Sequence, residues 1–162
     1  MLAQPNQWVL TLSESQYANI GRTVLLLSAI EYELYRTLSA AFGTAEEDSL
    51  KTAARGTFNQ RKAQLSRKLN GDKRIRPEAL QVILKKLETA SELRDQFFHG
   101  VWVTHGERIT SKFIKRHNCA DGANGAAVHK IEMPHEKFAL IHRNLEYILV
   151  ELDVIQEILG KD

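Results

Sequence analysis

Apolar positions recur along much of this chain at alternating intervals of four and three, the repeat of an amphipathic helix. The most regular run is the last one. Phe138, Ile141, Leu145, Ile148, Leu152, Ile155 and Leu159 hold the alternation unbroken, Leu149 and Ile158 add a flank, and Pro134 opens it. Near the other end, Ser13 and Gln16 have the spacing of a capping box. They predict a helix whose stripe is Ile20, Val24, Leu27, Glu31, Leu34, Leu38 and Ala41, ending near Phe42-Gly43. Leu25, Leu26 and Ile30 widen that surface and predict neighbours on more than one side. Thr44 and Glu47 repeat the capping spacing and start a thinner stripe of Leu50, Ala54, Phe58, Leu65 and Leu69. Gly56 interrupts it, and a glycine inside a helix predicts a break or kink. Asn70-Gly71-Asp72 reads as a turn. Pro77 suits the first position of a further helix, which carries Leu80, Ile83, Leu84, Leu87, Ala90, Leu93, Phe97 and Phe98 to a stop at Gly100.

Beyond Gly100 the period changes. Val101 to Thr104 and Ile109 to Ile114 are rich in β-branched and aromatic residues, with His105-Gly106-Glu107 between them as a hairpin turn. Residues 117–127 read as a loop, and Val128 to Met133 as a returning third strand. The expectation is a mainly α, single-domain protein over 1–162: an up-down four-helix bundle with a β-hairpin or small three-stranded meander inserted at about 101–133, before the last helix. Trp102 is expected to pack that insertion against the bundle.

Two charges interrupt the packed stripes. Glu31 lies on the first, and Arg94 lies in register with Ile83, Leu87 and Ala90 on the third. A buried unpaired charge is costly, so each needs a partner. The plain reading is an ion pair pinning two helices; the functional reading is a carboxylate that aims Arg94 at a phosphate. His99 closes the same helix just before Gly100, which suits a left-handed C′ position. A histidine there could cap the helix end or act as a general base near neutral pH.

Arg94, polar Asp95, three further residues and His99, followed by Gly100 and Trp102, resemble the R-x4-H motif of HEPN domains. Many members carry Asn where this chain has Asp95. The resemblance implies an all-helical domain, often dimeric, acting as a metal-independent ribonuclease in prokaryotic toxin–antitoxin and defence systems. It implies that Arg94 and His99 are catalytic, that a homodimer completes the site, and that RNA is the substrate and an antitoxin a protein partner. Asp95, at the motif's second position, and Glu31, from its place on the packed face, complete the candidate catalytic set. Residues five apart on an ideal helix point about 140° away from each other. Arg94 and His99 would therefore converge by tightening of the helix end or across a two-fold axis.

Net charge is only +2, but its distribution is uneven. Nine Lys or Arg fall between Lys51 and Arg76 against the single acid Asp72, whereas acids dominate from Glu132 to Asp162. Arg61, Lys62, Lys73, Arg74 and Arg76 are the candidates to bind an RNA backbone. The plainer reading is a solvated helix face, because no aromatic platform is interleaved. His105, His117, Cys119, His129 and His135 match no paired zinc spacing, so neither metal nor cofactor is expected. One cysteine excludes an internal disulfide, and the first residues lack a signal-peptide pattern. No apolar run is long enough to span a bilayer, so a cytoplasmic protein without membrane contact is expected. Two alternatives accompany the ribonuclease reading: a catalytically inactive HEPN-like module binding nucleotide, RNA or protein, and a purely structural helical interaction domain.

Overall fold

A computed structural model describes residues 12–44, 48, 51, 56–105, 108–118 and 124–160; at strand residues 103–105, 108, 112–118 and 124–131 it describes the backbone alone. Among the described residues four long helices enclose one core: α1 (Glu14–Phe42), α2 (Phe58–Leu69), α3 (Pro77–His99) and α4 (His135–Leu159). Strands β1 (Val101–His105), β2 (Arg108–Asn118) and β3 (Asn124–Met133) form an antiparallel meander in the order β1-β2-β3 between α3 and α4.

Local signals place the helix ends. Ser13 and Gln16 form both hydrogen bonds of a capping box at the start of α1, and Gly43 ends it in the left-handed conformation, φ 63°. The start expected at Thr44 and Glu47 lies outside the described residues in large part. Gly56 does mark a discontinuity, since α2 opens at Phe58 behind a second complete capping box, Thr57 with Gln60. Pro77 occupies the first turn of α3. All seven residues of the expected α4 stripe are buried.

The meander is longer than its apolar pattern. Residues His117, Asn118 and Asn124 to Ala127, expected in a loop, pair as His117↔Gly125 and Asn118↔Asn124. Ladder hydrogen bonds between backbones carry this extension, and they do not depend on side-chain hydrophobicity. Trp102 packs on Phe97 with ring centroids 4.7 Å apart, and Phe97 meets Phe138 edge-on at 6.2 Å. These rings join the sheet to α3 and α4.

Helix directions depart from an up-down bundle. Thr23–His142 and Arg22–Glu146 mark one end of the α1–α4 contact, and Thr37–Gln156 marks the other. The first and last helices therefore run parallel. Phe97–Phe138 and Lys86–Tyr147 set α3 antiparallel to α4. Arg61 stands level with Glu31, and Lys68 with Phe42, so α2 runs with α1. The chain lengths account for it. The turn at 70–76 is short enough only to reverse direction between α2 and α3, whereas the longer connection at 43–57 does not oblige α1 and α2 to run oppositely.

Gly100 differs from expectation too. Its backbone is extended, φ −80° and ψ 140°. It is needed for space instead: a Cβ there would stand 2.2 Å from the Gln96 carbonyl oxygen and 2.3 Å from Ser111 Oγ. Strand β2 and the last turn of α3 meet at this point.

Candidate functional site

Helices α1, α2 and α3 converge on one carboxylate. Glu31 lies midway along α1, with Ile30 and Leu34 beside it fully buried. Arg61 is the fourth residue of α2, and its start is fixed by the Thr57 box. Its Nη1 donates to Glu31 Oε1 at 2.5 Å, and its Nη2 donates to the Gly56 carbonyl at 2.6 Å. Arg94, in the penultimate turn of α3, donates through Nε to Glu31 Oε2 at 3.3 Å. The two guanidiniums thus take one carboxylate oxygen each.

They differ in access. The Arg61 side chain retains 6% of its exposure, that of Arg94 30%. Arg61 also lies over the Tyr35 ring at 4.1 Å, and Arg94 over the Phe98 ring at 5.2 Å. The Tyr35 hydroxyl is raised above its ordinary value by burial, and the Glu31 carboxylate adds to this against the pull of the two arginines. It keeps its proton at neutral pH. With both arginines charged and Glu31 ionised, the cluster holds one positive charge in excess. Among the described residues, the Nη1 and Nη2 donors of Arg94 carry no hydrogen bond, so they are placed to meet an anion.

His99 is the last residue of α3 and exposed, one turn and a residue beyond Arg94. Its ring makes no hydrogen bond or ion pair within the described residues. Asp95 is half-buried beside Arg94 in the chain. The structure therefore joins Glu31 to Arg94, as expected, and leaves His99 open to solvent.

The basic residues divide. Arg61, expected on an RNA-binding face, is a correction: it is buried and spent on Glu31, Gly56 and Tyr35. Its sequence signal was legible, because it stands three after Phe58 and four before Leu65, in the apolar register of α2. Lys62 pairs with Glu88 and lines a groove of ≈ 390 Å³ between α2 and α3, with Ser66, Leu84 and Lys85. Arg74 donates to Asp72 at 3.0 Å, and that guanidinium's hydrogen bonds hold the Asp72 carboxyl below its usual range. Lys73 and Arg76 are exposed. Phe98, expected in the core, is 44% exposed. Tyr35 and Phe98 are the cluster's two aromatic neighbours that sequence reasoning did not assign to it. Among the described residues no group of three His, Cys, Asp or Glu could hold a metal ion, and no described helix is long and apolar enough to cross a membrane.

Comparison of the chain with protein-family models, with curated proteins and with solved structures gives no match.

Proposed function

We propose that this protein is an HEPN-like, RNA-directed endoribonuclease of toxin or defence type. It works without a metal, in the cytoplasm, as a homodimer that an antitoxin-like protein can mask. The observation that carries the reading is the state of Arg94. Glu31 fixes its guanidinium through Nε, Arg61 satisfies the remaining demand of that carboxylate, and the Nη donors are left towards solvent. A guanidinium held in this way is oriented before its ligand arrives, and a phosphate diester is the anion that the R-x4-H resemblance supplies.

In this reading His99 takes the proton from a ribose 2′-hydroxyl. The 2′-oxygen attacks the adjacent phosphorus, the bond from phosphorus to O5′ breaks, and the proton passes to the departing O5′. The products are a 2′,3′-cyclic phosphate and a 5′-hydroxyl. Arg94 stabilises the charge that builds on the phosphoryl oxygens. Two copies of His99 across a two-fold axis would answer the divergence of Arg94 and His99 along one helix.

The test is cleavage of a mixed RNA pool in EDTA by wild type, His99→Ala and Arg94→Ala. Wild type should leave cyclic-phosphate ends, with losses of about 10²–10⁴-fold for the histidine and about 10²–10³-fold for the arginine. Absence of cleavage by wild type shown to be dimeric would sink the reading. It would move the assignment to a non-catalytic RNA- or protein-binding module, which one observation favours: no described side chain orients His99.

A further inference from the structure

We infer that Phe98 is a stacking platform for an unpaired nucleobase, so that the RNA taken at this site is single-stranded; the inference rests on the RNA-directed reading above. The last two turns of α3 put neighbouring residues to opposite uses. Phe97 is 6% exposed, locked between Trp102 and Phe138. Phe98 points the other way and is 44% exposed, and across Gly100 Val101 is 58% exposed. Two large apolar side chains thus flank His99 on the surface.

Phe98 also has a cation against its ring. The Arg94 guanidinium lies 5.2 Å from its ring centroid, one helical turn back, and the ring remains partly exposed to solvent. A flat, half-exposed aromatic surface next to free guanidinium donors complements the two parts of a nucleotide: a base for the ring and a phosphate for Arg94. Charge and shape agree, since the cluster's excess positive charge sits directly beside the apolar ring. Base–aromatic stacking contributes about 1–3 kcal/mol per base, which is about 5- to 150-fold in affinity. Only an unstacked base can reach such a platform. A duplex keeps its bases inside, so the site discriminates against it.

The experiment uses the full chain and a short, fluorescently labelled 2′-O-methyl RNA, which cannot be cut by 2′-hydroxyl attack, alone and annealed to its complement. Binding is read by anisotropy for wild type, Phe98→Leu and Phe98→Trp, and cleavage of the unmodified strand is followed in parallel. Phe98→Leu keeps the apolar bulk and removes the π-face. It should weaken single-strand binding about tenfold and leave duplex binding unchanged, while Phe98→Trp retains single-strand affinity. Equal single-strand affinity of wild type and Phe98→Leu, or equal wild-type affinity for strand and duplex, overturns the platform. No RNA binding at all also overturns it. The two readings fail separately. RNA bound through Phe98 but never cut sinks only the ribonuclease, and RNA cut with Phe98→Leu indistinguishable from wild type sinks only the platform.

Discussion

Helix α1 buries polar groups on two sides, and the two sides are built differently. Towards α4 they form a mutually satisfied seam. Thr23 Oγ1 donates to the Asn19 carbonyl at 2.8 Å and meets His142 Nε2 at 3.0 Å. Two heptads along both helices (23 to 37, 142 to 156) the arrangement recurs. Thr37 Oγ1 donates to the Glu33 carbonyl at 2.8 Å and accepts from Gln156 Nε2 at 3.1 Å, and Gln156 also donates to Glu33 Oε2 at 2.8 Å. Towards α2 and α3, one carboxylate serves two guanidiniums and donors remain over. A polar group inside a helix interface is therefore no sign of function by itself. Seam residues have used their capacity on one another, which fixes helix register; the Glu31 cluster has capacity left, which is what a ligand needs.

The sharpest way to break this contrast is Glu31→Ala. It leaves Arg61 charged and buried without its carboxylate, and should cost about 3–5 kcal/mol in urea unfolding. Replacing Glu31 and Arg61 together by Leu removes both charges and should recover most of that loss, while Arg94 loses its anchor and RNA affinity falls. A full-strength site in the double variant would show that Arg94 needs no positioning by Glu31.

Next in size is Gly100→Ala, expected to cost about 1–3 kcal/mol through overpacking. Ser111→Ala in the same chain removes the contact with Ser111 Oγ but not that with the Gln96 backbone, so it should restore only part of the loss. Complete restoration would mean that the carbonyl gives way. Because His99 is the residue before Gly100, the shift should also lower RNA cleavage, which links the packing of β2 to the proposed site.

How much of this was written in the sequence differs between the two faces of α1. The unbroken α4 stripe, both ends of α1, the Pro77 start and the pairing of Glu31 with Arg94 follow from periodicity, capping chemistry and the cost of an unpaired buried charge. Arg61 follows from the same logic once its register with Phe58 and Leu65 is noticed; a run of basic residues around it disguised it as surface. The seam was hidden because Thr23, Thr37, His142 and Gln156 satisfy one another across helices, and a hydrophobic stripe does not record a cross-helix hydrogen bond. Helix direction was hidden for a different reason: amphipathic period carries no polarity, and only loop length hints at it. The exposed setting of Phe98 is tertiary, since Phe97 and Phe98 read alike until Trp102 selects one of them.

On the seam side a single hydrogen bond is the smaller test. Thr37→Val keeps the shape and removes the hydroxyl, while Gln156 retains Glu33 as a partner. The expected loss is about 0.5–1.5 kcal/mol in thermal or urea unfolding, with no change in RNA binding. A change in RNA binding without a matching stability loss would mean that the seam and the Glu31 cluster are coupled through α1.

The smallest effect separates the two sides by pH. Thr23 spends its hydroxyl proton on the Asn19 carbonyl, so its oxygen accepts from His142 Nε2–H. Burial is the leading cause that lowers the His142 value below the ordinary 6.5; Arg22 acts in the same sense, and the Asn19 carbonyl and Glu146 oppose it. A lowered folded-state value means that the unfolded chain binds the proton more readily. Stability from this group is then complete above about pH 6.5 and is lost as pH falls from there through the folded-state value, by at most about 1.4 kcal/mol per pH unit. His142→Gln keeps an N–H donor for Thr23 and cannot titrate. Unfolding curves of wild type and His142→Gln should therefore converge as pH is lowered from about 7.5 to about 5.5, the wild type losing more. Curves that stay parallel over that range would show that the seam accommodates the charged ring, and that it is less closed than the contrast with the Glu31 cluster requires.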